Sequence, residues 1–368
     1  MSAEVPALRG VLTAHEVSAT ARSIAAVQQP SGAIPWVPDG HTDVWNHVEA
    51  AMALLAAGEV EAAERAYAWV PTVQRDDGSM PLKLVGGAVD DPSGETNMSA
   101  YLAVGVWHHW LVRRDHAFVR RMWPVVRGGL DFAVSMQLPW GGIAWSQEWR
   151  DGAPDRVNDA ALLTASSSVH HALRAGLALA ELVDDPQPEW ELAGGRLAHA
   201  VREHEDRFLD KAHYSMDWYY PVLGGVLRGS AARRRLDARW DTFVEDGLGI
   251  RCVSGNPWVT GAETCELALT LEAVGDRERA VRLLTDVAHL RLEDGSYWTG
   301  YVFPDRVHWP DERTTFTAAA VILAVDALSL STPGAGIMRA AALGPELAPI
   351  GLECGCASAD ALQGTRLA

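Results

Sequence analysis

Six carboxylates stand at comparable places along this chain, and their company suggests proton chemistry. Asp43, Glu95, Asp159, Asp217, Glu263 and Glu312 lie in short polar segments rich in Gly and aromatic residues, at 31–43, 76–95, 140–159, 217–225, 254–263 and 294–312. An apolar run of small residues follows most of them. An acid at such a point can cap or complement a helix start. Six of them interleaved with tryptophans also suggest one shared cleft.

Cleaving a glycosidic bond needs one protonated carboxyl and one ionised carboxylate on either side of it. Glu148, between Trp145 and Trp149, has partly apolar neighbours that should raise its pKa and suit it as the acid. Glu312, beside Asp311 and Arg313, should stay ionised and suit the base. Asp43, grouped with His47 and Glu49, is the third candidate for either role. The chain has 15 Trp against 6 Phe and 7 Tyr. Flat indoles stack on sugar rings, and their π-faces can also steady a carbocation. The predicted substrate-binding set is therefore Trp36, Trp45, Glu95, Trp145, Asp217, Trp218, Tyr219, Trp258, Glu263, Trp298, Tyr301 and Arg313. The competing role for these indoles is packing between hairpins.

The elements that would position these residues are helices. The six carboxylates recur at intervals of 46 to 64 residues, the length of a helix pair with its connections. Helices after the polar segments read as small and apolar all round, as at 48–57, 100–110, 169–182 and 315–328. Those before the next polar segment are one-sided, as at 59–73, 117–136, 189–208 and 276–290. All-round apolar helices are buried and one-sided ones lie outside. The pattern predicts an all-α fold, an (α/α)6 toroid of six helix hairpins with an inner and an outer ring. Strands should be so few that no sheet of four forms. The fourth inner helix is the weak point, because 222–229 is a poor helix sequence. Residues 1–330 read as a single domain, and 331–368 as a partly disordered tail with a short helix near 336–343. Glu148 and Glu312 stand three units apart in a ring of six, so they should approach from opposite walls.

Composition narrows the partners. With 31 basic and 48 acidic side chains the formal charge is −17. Such a surface repels phosphate backbones and anionic lipid, so neither nucleic acid nor a membrane is expected. A small neutral or cationic substrate fits, either an oligosaccharide or glycoside or, alternatively, an isoprenoid. Residues 1–10 lack a signal-peptide pattern, and the longest apolar run, 318–325, is too short to span a bilayer. A cytoplasmic location is expected. Cys252, Cys265, Cys354 and Cys356 have no zinc-site spacing and read as reduced thiols. The adjacent pairs His108–His109 and His170–His171 point their rings to different helix faces. No metal or cofactor is predicted.

The turns 28-QQPSGAIPW-36, 74-QRDDGS-79 and 292-LEDGSYW-298 resemble the Gln…Gly…Trp turns of squalene cyclases and protein prenyltransferase β subunits. To about residue 330 the chain looks like an actinobacterial group of toroids labelled prenyltransferase. These turns imply the toroid, Gly making the bend while Gln and Trp tie neighbouring hairpins. The chemistry of those families has no counterpart here, since Asp-x-Asp-Asp, DDxxD and a zinc set are all missing. The segments 142-GIAWSQEW-149 and 309-WPDERTTFT-317 are similar in position to the acid- and base-bearing segments of glucoamylase-like six-hairpin glycosidases. This resemblance implies a carbohydrate-active hydrolase. The alternatives are an isoprenoid-handling prenyltransferase or cyclase relative, and a non-catalytic binding toroid.

Overall fold

A computed structural model of the chain describes residues 4–339, 342 and 346–351. Thirteen α-helices are present among them. Six are buried along most of their length: α2 (Val44–Ala56), α4 (Thr96–Arg113), α6 (Leu163–Val183), α8 (Ser215–Leu223), α11 (Gly261–Ala273) and α13 (Thr315–Ser329). Each packs on the next in that order, and α13 packs back on α2. They form a closed ring consistent with an α/α toroid.

The other helices lie outside. These are α1 (Ala14–Val27), α3 (Val60–Trp69), α5 (His116–Ser135), α7 (Pro188–Glu203), α9 (Gly229–Ala238), the single turn α10 (Trp240–Phe243) and α12 (Arg277–Asp286). Helices α3, α5, α7, α9 and α12 each pack on the buried helix before them, and α1 fills the seam between α13 and α2. The division follows polarity. In α13 every residue from Thr315 to Leu328 is buried, whereas α12 buries only Ala280, Leu283 and Leu284. The fourth buried helix, α8, has nine residues and stops at Gly224-Gly225, where Gly225 takes φ +78.

The expectation about strands needs correcting. Ten short strands build two antiparallel five-stranded sheets. The first holds β1 (His41–Thr42), β2 (Pro81–Val85), β3 (Ala88–Glu95), β4 (Ser146–Arg150) and β5 (Ala153–Val157). The second holds β6 (Val244–Glu245), β7 (Gly249–Arg251), β8 (Trp258–Thr260), β9 (Gly300–Val302) and β10 (Val307–His308). Strands this short carry little alternating pattern of their own. They form because polar segments far apart in sequence are brought side by side at one end of the ring, where their backbones need partners.

That juxtaposition also fixes the polarity of the ring. The first sheet joins the segments that lead into α2, α4 and α6, and the second those that lead into α11 and α13. Leu209 N–H donates to Ala161 O at 2.9 Å, Tyr214 bridges Val253, and Thr315 N–H donates to Trp36 O at 3.0 Å. The N-termini of all six buried helices therefore share one end.

A repeated turn fastens the outer ring. Gln74 Nε2 donates to Gly78 O at 3.1 Å within its own turn and to Val125 O of α5 at 2.8 Å. Gln28 does the same to Gly32 O and Ala62 O, and Gln137 to Gly141 O and Ala193 O. Gly78 is obligatory there: at φ +86 a Cβ would stand 2.0 Å from Gly128 O. The third of these turns was not foreseen, and in the 292–298 turn Arg291 stands where the others have Gln.

After α13 the chain crosses the opposite end. Thr332 donates through its N–H and hydroxyl to buried Asp326 at 2.9 and 2.6 Å, and Ile337 and Met338 are buried. Arg339 pairs with buried Glu272 of α11. Residues 332–339 run as turns, without a helix. The rest of the helix expected near 336–343, apart from Ala342, lies outside the described residues, as do Cys354 and Cys356.

Candidate active site

The shared end of the ring carries the acidic residues. Asp43 and Glu95 are the N-caps of α2 and α4, accepting from Asn46 N–H at 2.9 Å and Met98 N–H at 2.5 Å. Asp217 and Glu263 sit in the first turns of α8 and α11. Asp159 and Glu312 precede α6 and α13, Asp159 exposed and Glu312 half-buried. Capping and placement at the shared end of the ring therefore coincide at Asp43 and Glu95.

One turn deeper, four buried helices present their sixth residue at the same level: Glu49, Tyr101, Tyr220 and Glu266. Tyr101 OH donates to Glu49 Oε1 at 2.8 Å, and Trp45 Nε1 donates to the same oxygen at 3.2 Å. Tyr220 OH donates to Glu266 Oε1 at 2.6 Å, and Tyr219 OH donates to Oε2. Glu49 and Glu266 were outside the predicted set. Their only sequence signal is an acid in the middle of an otherwise apolar helix, which an inner helix would not tolerate without partners.

Burial sets the protonation of this cluster. Desolvation pushes Glu49 up to about 7, with the charge of Asp43 adding to it. It raises Glu266 as well, helped by the charge of Glu49. Glu95 is likewise raised to about 7, chiefly by burial against the pull of its backbone donors. Asp43 is raised by burial, opposed by Asn46 and by His41, whose Nε2 lies 3.9 Å away. Asp217 is raised by burial and holds the Thr164 hydroxyl at 2.6 Å. Burial of this kind favours the neutral form of a carboxyl.

The predicted pair is differently situated. Glu148 lies on β4, its side chain 42% exposed, with Arg156 Nη2 at 2.5 Å. That guanidinium lowers its pKa, so the expected upward shift from Trp145 and Trp149 does not occur. Trp149 instead packs under Arg75, 3.9 Å from its ring centre. Glu312 accepts from Trp36 Nε1 at 3.1 Å and so ties the last polar segment to the first.

The aromatic residues divide between cleft and wall. Trp45 is half-buried and meets Tyr101 and Tyr220 edge-on, at 5.9 and 5.8 Å. Trp36 stacks on His41 at 5.6 Å, and Trp145 is half-buried beside α4, where its carbonyl accepts from Thr96 N–H. Trp218 does not face the cleft. It is fully buried, stacked on Phe243 at 5.3 Å, and donates to Arg235 O at 2.8 Å. Tyr219 is fully buried, its ring packed on Tyr220 at 5.3 Å and its hydroxyl on Glu266. Trp298 packs against Arg313 at 4.3 Å and His308 at 5.1 Å and is half-buried, whereas Arg313 is exposed. Tyr301 packs on His289 and His308, and Trp258 donates to Trp309 O at 2.8 Å, both within the second sheet. His47 is structural, bridging Ile34 N–H and Ala66 O, and burial lowers it to about 4.

A separate groove lies away from Asp43, Glu49, Glu263 and Glu266. It is a cavity of 690 Å³ at the outer seam of α1 and α13, bordered by Arg22, Val37, Asp294, Glu312 and Arg313. Among the described residues no three His, Cys, Asp or Glu side chains group to hold a metal ion, and no helix is long and apolar enough to cross a membrane.

No family model matches the sequence. The MMP endo-(1,4)-3-O-methyl-alpha-D-mannosidase of Mycolicibacterium hassiacum is 52% identical over 360 residues, covering 97% of this chain and 98% of that protein. Among solved structures, a wild-type glycosidase superposes with a TM-score of 0.66 at 16% identity, over 88% of this chain and 98% of its own. A GH63 mannosylglycerate hydrolase from Thermus thermophilus, in complex with glucose, superposes at 0.61 and 13% identity, over 84% and 99%. A D-mannose isomerase superposes at 0.63 and 11%, over 84% and 96%. These structural likenesses speak to the fold. The prenyltransferase label finds no support in these relatives, and the turns that prompted it are packing devices. The chain belongs to the family of the M. hassiacum endo-mannosidase, a glycoside hydrolase-like enzyme.

Proposed function

We propose that this protein is an endo-acting hydrolase of α-(1→4)-linked, 3-O-methylated mannan, working in the cytoplasm. In this reading residues 1–330 form one (α/α)6 toroid of six helix hairpins. The observation that carries the chemistry is the gathering of Glu49 from α2 and Glu266 from α11 with Trp45 and three tyrosines, one turn below Asp43 and Glu263 at the same end of the ring. More than 200 residues separate the two helices in sequence. A neutral glycan also suits a chain of formal charge −17.

Within that group Asp43 and Glu263 are the acid/base pair. Both stand at the mouth level of their helices, whereas Glu49 and Glu266 lie a turn deeper with tyrosine hydroxyls on their oxygens. Asp43, raised by burial, donates its proton to the glycosidic oxygen as the C1–O bond breaks. Glu263, half-buried and in contact with the Cys252 thiol, takes a proton from the water that attacks C1. The leaving sugar departs with the proton of Asp43, and the hydroxyl left from that water completes the new reducing end. Glu95 and Trp36 border the same end of the ring and complete the cleft. Glu148 is not preferred, because Arg156 keeps it charged on an open strand.

The test is release of reducing ends from methylated α-(1→4)-mannan. Asp43→Asn and Glu263→Gln should each lower kcat by at least about a hundredfold with unchanged melting, while Glu148→Gln stays within about twofold. Loss of activity in Glu148→Gln with retention in Asp43→Asn would transfer the acid role to Glu148.

A further inference from the structure

The helix ring has a geometric consequence for Trp45. In the cyclic order α2, α4, α6, α8, α11, α13, helix α8 lies three places from α2 and therefore opposite it. Trp45, second residue of α2, touches Tyr101 of neighbouring α4 at 5.9 Å and Tyr220 of opposite α8 at 5.8 Å, at interplanar angles of 63° and 85°. Its indole thus occupies the axis of the ring, at the end where all six N-termini gather. It is half-buried, while both tyrosines are 3% exposed. The part of the ring still open faces the mouth, and the cleft has an aromatic floor.

The polar atoms of that floor are already engaged. Trp45 Nε1 and Tyr101 OH both donate to Glu49, and Tyr220 OH donates to Glu266. Two buried carboxylates hold every heteroatom of the three side chains beneath the floor. A sugar stacked on the indole face meets carbon and π-surface there. A hydroxyl pressed there loses its water without gaining a partner, whereas a methyl ether carbon loses nothing and gains contact.

We propose that Trp45, held upright by Glu49, Tyr101 and Tyr220, is the residue that selects a 3-O-methyl sugar, seating the ether methyl on its indole face. Trp45 is a specificity residue in contact with substrate, and Glu49 is a positioning residue that acts through it. This rests on the reading above that the substrate is a methylated mannan.

The experiment compares kcat/KM for α-(1→4)-mannotetraose with and without 3-O-methyl groups. The wild-type protein should prefer the methylated glycan by about tenfold or more, the range that small apolar groups give in fitted pockets. Trp45→Leu should bring that ratio below about threefold. Saturation-transfer NMR of the wild-type protein with methyl 3-O-methyl-α-D-mannoside keeps the test available if the variant does not fold. The ether methyl should then receive the strongest transfer. A wild-type enzyme that cleaves both glycans equally, a Trp45→Leu ratio equal to wild type, or transfer centred on other protons would each overturn the proposal while leaving the mannanase reading in place. An enzyme that cleaves neither glycan removes both.

Discussion

Glu95 gives the clearest test of the buried electrostatics. It caps α4 through Met98 N–H at 2.5 Å, yet it is buried, and its carboxyl is raised from an ordinary 4.5 to about 7. Burial is the first cause, and the charge of Asp43 adds to it. A folded-state pKa above the unfolded one means that the folded chain holds the proton more tightly. The associated stability is complete below pH 4.5 and is lost as pH rises through 7. At about 1.4 kcal/mol per pH unit the loss is about 3 kcal/mol. Glu95→Gln keeps a carbonyl oxygen for the cap and removes the titration. Unfolding entropy of about 2.1 cal/mol/K per residue over a chain of 368 residues converts this to about 4 °C. The Tm of the variant minus that of wild type, measured by calorimetry, should therefore rise by about 4 °C between about pH 4.5 and pH 8. A constant offset caused by the poorer cap does not affect this slope. A difference that stays flat across that range would refute the buried, protonated assignment of Glu95.

Two further outcomes follow from packing. Gly78→Ala should cost about 3 kcal/mol, because the methyl meets Gly128 O at 2.0 Å besides taking φ +86. Gly152→Ala, at φ +79 with nothing within 4 Å, should cost about 1 kcal/mol; equal losses in denaturant melts would show that the contact is unimportant. Arg339→Ala leaves Glu272 buried without its cation and should cost about 1–2 kcal/mol, discounted for the 38% exposure of the arginine side chain. An unchanged urea midpoint would mean that the segment after α13 does not brace the ring.

The local character of each helix was legible from the chain alone. Small apolar residues at 315–328 can only be buried, and a stripe at Ala280, Leu283 and Leu284 amid charges can only cover one face. The recurrence of acids before apolar runs likewise marked where helices begin, because Asp43 and Glu95 cap them by local chemistry. The sequence also carried the job of the Gln…Gly turns, whose Gln amide closes its own turn with one hydrogen bond and fastens it to the neighbouring outer helix with the other. Tertiary structure alone decided which carboxylates meet. Glu148 has two tryptophans beside it in sequence, but strand pairing brings Arg156 across the β4–β5 hairpin and holds it charged. Trp218 and Trp298 read like sugar platforms until Phe243, Arg313 and His308 fill their faces. By sequence Glu49 groups with Asp43 and His47, and Glu266 is passed over. Trp45 reaches Glu49 within one helix. The tyrosines come from the neighbouring helices of the ring, Tyr101 of α4 for Glu49 and Tyr219 and Tyr220 of α8 for Glu266. Ring closure sets Tyr220 against Trp45 across the axis. Spacing along a helix fixes the face on which a residue lies, whereas the partner across the axis comes from a helix more than a hundred residues away, and no local pattern encodes it.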